Sequence, residues 1–276
     1  MEQGADATKM CYTKTMSYQS DDERLSLAVQ RARIRFPQGI GTQSEKLVHC
    51  ALKYYLEPDE SCHEVRVRGQ KKDGTSYSHV ADIFQKERGH IYEIQTRAFD
   101  RLRIKLADFL EDYTVTVVYP IPHIKYISWV DPETGEASDR HRSPKTGRFS
   151  DILPEIYHLP DIQMHPNLEF LAVLLDLDEY RFLDGWSKDR KRGSHRMERL
   201  PVSIAGMEVL KRAEDYASLI PADLPDPFFR TELMKALKLS GRKGSGALSV
   251  LTRAGVLEHI GQIDRKYIYS RKENHT

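Results

Sequence analysis

Val80-Ala81-Asp82-Ile83-Phe84 and Ile91-Tyr92-Glu93-Ile94-Gln95 are two alternating runs on either side of a polar turn, Lys86-Glu87-Arg88-Gly89. Residues two apart on a strand share a face, so Glu93 and Gln95 project together. If the turn closes a regular hairpin, Gln85 faces His90 and Asp82 faces Glu93. Ala81, Ile83, Tyr92 and Ile94 then pack the other face. Two carboxylates directly opposite repel. A hard divalent cation held by oxygen ligands relieves that repulsion.

Upstream of the hairpin, Asp21–Arg33 reads as a helix, ended by Pro37-Gln38-Gly39. Ser44–Leu56 reads as a second, with Ser44 as N-cap and Leu47, Val48, Ala51, Tyr54 and Tyr55 on one face. His63–Arg68 alternates like a strand, and Lys71-Lys72-Asp73-Gly74 turns into Tyr77–Phe84. His90–Thr96 is the third strand. Phe99–Tyr113 reads as a helix, and Thr114–Tyr119 as a strand buried on both faces. Ile124–Val130 follows as another. Residues 44–130 therefore read α-β-β-β-α-β-β, which implies a mixed sheet with helices on its faces.

Downstream, residues 131–150 read as a basic loop, with Arg140, His141, Arg142, Lys145 and Arg148. Asp151–His158 reads as a short helix and Phe170–Leu177 as an apolar strand ending at Asp176 and Asp178. Residues 188–196 form a second basic loop. From Ala205 to Ala217 the pattern is read as helical. Pro221, Pro225 and Pro227 mark a linker. Then come helix Thr231–Leu239, turn Ser240-Gly241, helix Lys243–Arg253, strand Val256–Ile260, a turn and strand Lys266–Ser270.

On Asp82, Glu93 and the order of elements around them, Ser44–Val130 resembles the PD-(D/E)xK nuclease family, the restriction-endonuclease-like fold. The resemblance implies an acid on the second strand, matched by Asp82, and an acid-x-lysine on the third, matched by Glu93 and Gln95. Glu45 matches a further acid of the first helix. It also implies Mg²⁺ or Mn²⁺ on Glu45, Asp82 and Glu93, with hydrolysis of phosphodiester bonds. Gln95 stands where lysine is usual. Its amide donates hydrogen bonds and orients water but carries no charge. Arg97, Arg101 and Lys105 lie at helical spacing on the next helix, so Lys105 or Arg101 is positioned to supply the missing cation.

The C-terminal pattern, with its Leu251-Thr252-Arg253-Ala254-Gly255-Val256-Leu257 run, resembles a winged helix, a helix-turn-helix variant. That implies a recognition helix bearing Arg242, Lys243, Ser245, Ser249 and Arg253. Arg265 and Lys266 would lie at the wing, on phosphate. With its Ser143–Arg148 loop, the chain resembles a bacterial group that joins these two modules. Three parts follow: an N-terminal extension over 1–40, a nuclease-like α/β core over 41–200, and a helical linker with the winged helix over 201–276. Many nucleases of this fold pair to cut both strands, which implies a homodimer.

Composition sets outer bounds. The chain has 276 residues, 42 basic and 41 acidic, for a formal net charge of +1. Residues 186–276 hold 18 Lys and Arg against 11 Asp and Glu, a net of +7, so residues 1–185 carry −6. The neutral total is a cancellation, and the basic part is the one suited to double-stranded DNA. Three cysteines without a Cys-x-x-Cys pair fit a reduced, cytoplasmic protein. No segment has the apolar length to span a bilayer. The sequence leaves two other readings open: a non-catalytic DNA-binding or regulatory protein on a degenerate nuclease core, and a protein-interaction scaffold.

Overall fold

The computed structural model describes residues 20–35, 44–131, 133–182 and 195–272, with the side chains of 44–46 and 195–197 outside that description. A large mixed sheet flanked by helices organises the chain. Its strands are β1 (His63–Gln70), β2 (Ser76–Gln85), β3 (His90–Ile94), β4 (Thr114–Val130), β5 (His141–Thr146), β6 (Leu168–Phe182) and β7 (His195–Leu210). The order is β1-β2-β3-β4-β6-β7, with β5 also paired to β4. β1, β2 and β3 form an antiparallel meander. β3, β4 and β6 run parallel, and β7 returns antiparallel to β6.

Two apolar clusters lie on the two faces of the sheet. Helices α1 (Asp21–Arg35) and α2 (Ser44–Leu56) cover one face through Leu25, Val29, Leu47 and Leu52, against Leu171 and Val173. On the other face, Phe99, Leu106 and Phe109 pack on Val117 and Phe170. They belong to a 3₁₀ turn (Phe99–Leu102) and helix α3 (Arg103–Phe109). Each fully buried Leu, Val or Phe contributes about 1.5–3 kcal/mol of transfer free energy.

The alternation expected of Ala81 and Ile83 does not hold. Ala81 packs in the cluster with Phe109, and Ile83 in the cluster with Leu52. Opposite this point Glu64 takes a left-handed backbone, φ 53°. The break in β1 lets the pleat switch faces beside Asp82.

Downstream of Leu110 several expectations change. Thr114–Tyr119 and Ile124–Val130 are one strand, β4, with a register shift between Pro122 and Lys125. The basic stretch 140–148 is largely strand β5 rather than a loop. Its close is tight: a Cβ on Gly147 would lie 2.2 Å from the Pro122 carbonyl oxygen. Ala205–Leu210 is strand, not helix, because β6 is buried and β7 satisfies its outer hydrogen-bonding edge. Helix α5 covers only Ala213–Ala217. The basic stretch 188–196 lies outside the described residues apart from the backbone of His195 and Arg196, which is strand.

The C-terminal part carries β8 (Phe228–Phe229), α6 (Arg230–Ala236), α7 (Gly241–Arg253), β9 (Leu257–Ile263) and β10 (Lys266–Arg271). The strands form a small antiparallel sheet in the order β8-β10-β9. This part is not suspended on a linker. Leu233, Ala247, Val250 and Leu251 share one apolar cluster with Ile156 and Leu159. Those two belong to helix α4 (Leu153–Ile156) and the turn after it.

Candidate active site

The last regular pair between β2 and β3 near the carboxylates is Ile83 with Tyr92. Beyond it, side chains replace the backbone ladder. The Asp82 N–H donates to Glu93 Oε1 at 3.4 Å, and the Ile94 N–H donates to Asp82 Oδ2 at 2.9 Å. Asp82 and Glu93 thus meet side by side, as the hairpin register requires.

Each carboxylate has a nitrogen partner from a different helix. Lys105 Nζ, on α3, stands 2.5 Å from Glu93 Oε2. His49 Nε2, on α2, stands 3.1 Å from Asp82 Oδ2. Glu93 is only 2% exposed. Burial first, then the Asp82 charge, push its carboxyl up to about 8, with Lys105 pulling the other way. Burial also pushes Asp82 upward. The His49 hydrogen bond and charge, the Ile94 N–H and Lys105 outweigh it and hold Asp82 below its ordinary value. The pair therefore shares one proton near neutrality, with the charge on Asp82.

Gln95 takes another direction. Its N–H donates to the Val118 carbonyl at 2.9 Å, and its side-chain Nε2 donates to the Arg97 carbonyl at 2.5 Å. The amide holds the start of the loop before Phe99 rather than reaching the carboxylates. Arg101 is exposed, and Lys105 is the member of its stripe that arrives. Glu45 lies on α2 one turn before His49, with its side chain outside the described residues. His49 was not anticipated from sequence. Its one signal was its spacing of four residues from Glu45.

Two carboxylates suit a hard divalent ion. Among the described residues, however, no group of three His, Cys, Asp or Glu side chains is arranged to hold one. A third ligand would have to come from outside that set. Asp176 and Asp178 do not form a second such pair. Asp176 accepts from the Ile124 N–H, His123 Nδ1 and Ser203 Oγ, and Asp178 from Arg140 Nε. They secure the irregular middle of β4.

The C-terminal residues divide into two sets. Arg242, Lys243, Arg265 and Lys266 are exposed. Ser245, Ser249 and Arg253 have partners within the protein. Ser245 Oγ accepts from Arg230 at 2.5 Å. Arg253 donates to Ser249 Oγ and to Gln163 Oε1, both at 2.9 Å, and lies over the Tyr157 ring.

The model for the domain of unknown function DUF8091 matches residues 46–211. The chain belongs to the DUF8091 family. The DUF8091 match takes in β1 to β7, and so Asp82, Glu93, Lys105 and His49, and ends before α6 and α7. An uncharacterized protein of Treponema pallidum (strain Nichols) is 29% identical to this DUF8091 protein over 236 residues, 85% of this chain and 88% of its own. No solved structure matches the chain. No helix among the described residues is long and apolar enough to cross a membrane.

Proposed function

We propose that this protein is a metal-dependent endonuclease of the PD-(D/E)xK type that hydrolyses phosphodiester bonds in double-stranded DNA. The observation that carries the reading is the meeting of Asp82 and Glu93 across one hairpin, with Lys105 delivered onto Glu93 from the following helix. The meander β1-β2-β3 with β4 parallel to β3 is the strand order such a core requires.

Asp82 and Glu93, with Glu45 from α2, would hold Mg²⁺ or Mn²⁺. When bound, the ion supplies charge to a scissile phosphate and lowers the pKa of attacking water. Lys105 would supply, from the next helix, the cation that Gln95 does not. Gln95 shapes the loop that leaves β3. His49 fixes the Asp82 carboxylate.

The C-terminal part serves as a winged helix that grips DNA through Arg242 and Lys243 at the start of α7 and Arg265 and Lys266 at the β9–β10 turn. A homodimer would let two such sites cut both strands. Cys50 and Cys62 are free thiols, which suits a cytoplasmic protein.

A second reading, a DNA-binding protein on a core that no longer cuts, is favoured by the engagement of Gln95 with backbone. Supercoiled plasmid with Mg²⁺ or Mn²⁺ separates the two. The nuclease reading expects nicking that Asp82→Ala, Glu93→Ala and Lys105→Ala each reduce by roughly 100-fold or more. Equal background nicking by all four proteins rejects it.

A further inference from the structure

β3 stops its pairing with β4 at Ile94 and Val118, but β4 continues to Val130. With β5, β6 and β7 it forms a sheet extension that reaches roughly 35 Å past Val118 by strand rise. The register places His141, Ile127, Glu179 and Arg199 in one cross-strand row, with Trp129 and Arg181 two residues further on the same face.

Two features coincide on that face. Glu179 is buried, and two guanidiniums share its carboxylate. Arg181 donates from Nε at 2.7 Å and also from its terminal nitrogen, and Arg199 donates from Nε at 2.8 Å. One guanidinium already balances one carboxylate, so among the described residues of this row two cations stand against one anion. Beside it, the Trp129 ring is stacked with His141, centroids 6.3 Å apart and planes 14° from parallel. The Arg181 guanidinium lies 5.7 Å from the Trp129 centroid. Among the described residues, the nearby acids of this stretch have partners of their own: Asp178 pairs with Arg140, Asp176 with His123, and Glu198 lies 3.9 Å from Arg33.

A fixed cationic pair next to a half-buried aromatic plane matches a phosphate linked to a planar base. We propose that this face binds an unpaired segment of a nucleic-acid strand, with a base on the Trp129–His141 stack and its phosphate on Arg181 and Arg199. A duplex keeps its base faces stacked inside and cannot use the aromatic plane. The site does not depend on Asp82 or Glu93, so it is tested without metal.

The chain has two tryptophans, Trp129 and Trp186, so Trp186→Phe leaves Trp129 as the single reporter. The full-length protein is titrated in EDTA at low salt with short oligothymidylate, a blunt duplex of equal length, and polyglutamate. The expected result is saturable quenching of Trp129 by oligothymidylate, weakened by salt. Arg199→Gln should weaken it roughly ten-fold, the scale of one lost stacking or phosphate partner. His141→Ala removes an exposed ring without touching Glu179, so folding is not at stake, and it too should reduce affinity. Absence of quenching, equal quenching by duplex or polyglutamate, or unchanged affinity in a folded His141→Ala protein would overturn the proposal.

Discussion

Lys105 Nζ lies 2.5 Å from Glu93 Oε2, joining a helix to the strand that precedes it. Glu93 is buried, and a carboxylate taken from water without a partner is strongly disfavoured. Lys105 is the group that favours its ionised form against burial and the Asp82 charge. Lys105→Ala should therefore reduce metal-dependent plasmid cleavage by roughly 100-fold or more, with Lys105→Arg restoring part of it. Single-turnover assays at saturating protein check this. Unaltered cleavage by Lys105→Ala would remove Lys105 from the site.

The same pair fixes a pH dependence. Glu93 titrates at about 8 in the folded protein against an ordinary 4.5. Between these values the folded state keeps a proton that the unfolded chain has released. The folded state then binds more protons, so stability falls as pH rises through that window. Glu93→Gln abolishes the effect. Its Tm relative to wild type should rise steadily from pH 5 to about pH 9. A divalent ion must displace the same proton, so Mn²⁺ affinity of the wild type should increase with pH up to about 8. Parallel melting curves and calorimetric titrations measure both.

His49 holds Asp82 by a hydrogen bond to a charged acceptor. His49→Ala should cost about 1–2 kcal/mol, allowing for partial solvent access, and His49→Gln should recover most of it by keeping a donor. Asp82 should become harder to ionise in His49→Ala. Denaturant unfolding at neutral pH reads the stability. The carboxyl ¹³C shift of Asp82 across pH reads the titration.

The hairpin was legible because period-two alternation and a Gly-containing turn are local signals. Asp82 and Glu93 followed from register alone. Lys105 was legible as one of a helical stripe, but only the packing of α3 selects it over Arg101. The Ala205–Ala217 stretch misled because Ala205, Met207 and Leu210 suit a helix, whereas the open edge of β6 demanded a strand. The opposite burial of Ala81 and Ile83 was hidden as well. It depends on the left-handed Glu64 of a neighbouring strand, which no pattern within β2 reveals. Composition likewise gave no sign that Arg253 turns inward to Gln163.

That inward turn sets the last expectation. Helix α7 rests on the core where a Cβ at Gly246 would come within 3.2 Å of the Tyr157 ring. Gln163 reinforces the contact by donating to the Val250 carbonyl at 3.1 Å and accepting from Arg253. Gly246→Leu would force the helix off Tyr157 and should cost about 1–3 kcal/mol by overpacking. The same variant separates two roles of the C-terminal part. Arg242, Lys243, Arg265 and Lys266 remain exposed and intact, so salt-sensitive duplex binding in a gel shift should persist in Gly246→Leu. It should fall in Arg242→Ala with Lys243→Ala, which leaves the packing untouched. If both variants bind duplex as wild type does, the DNA contact is elsewhere. If Gly246→Leu melts like wild type, α7 is not held by Tyr157.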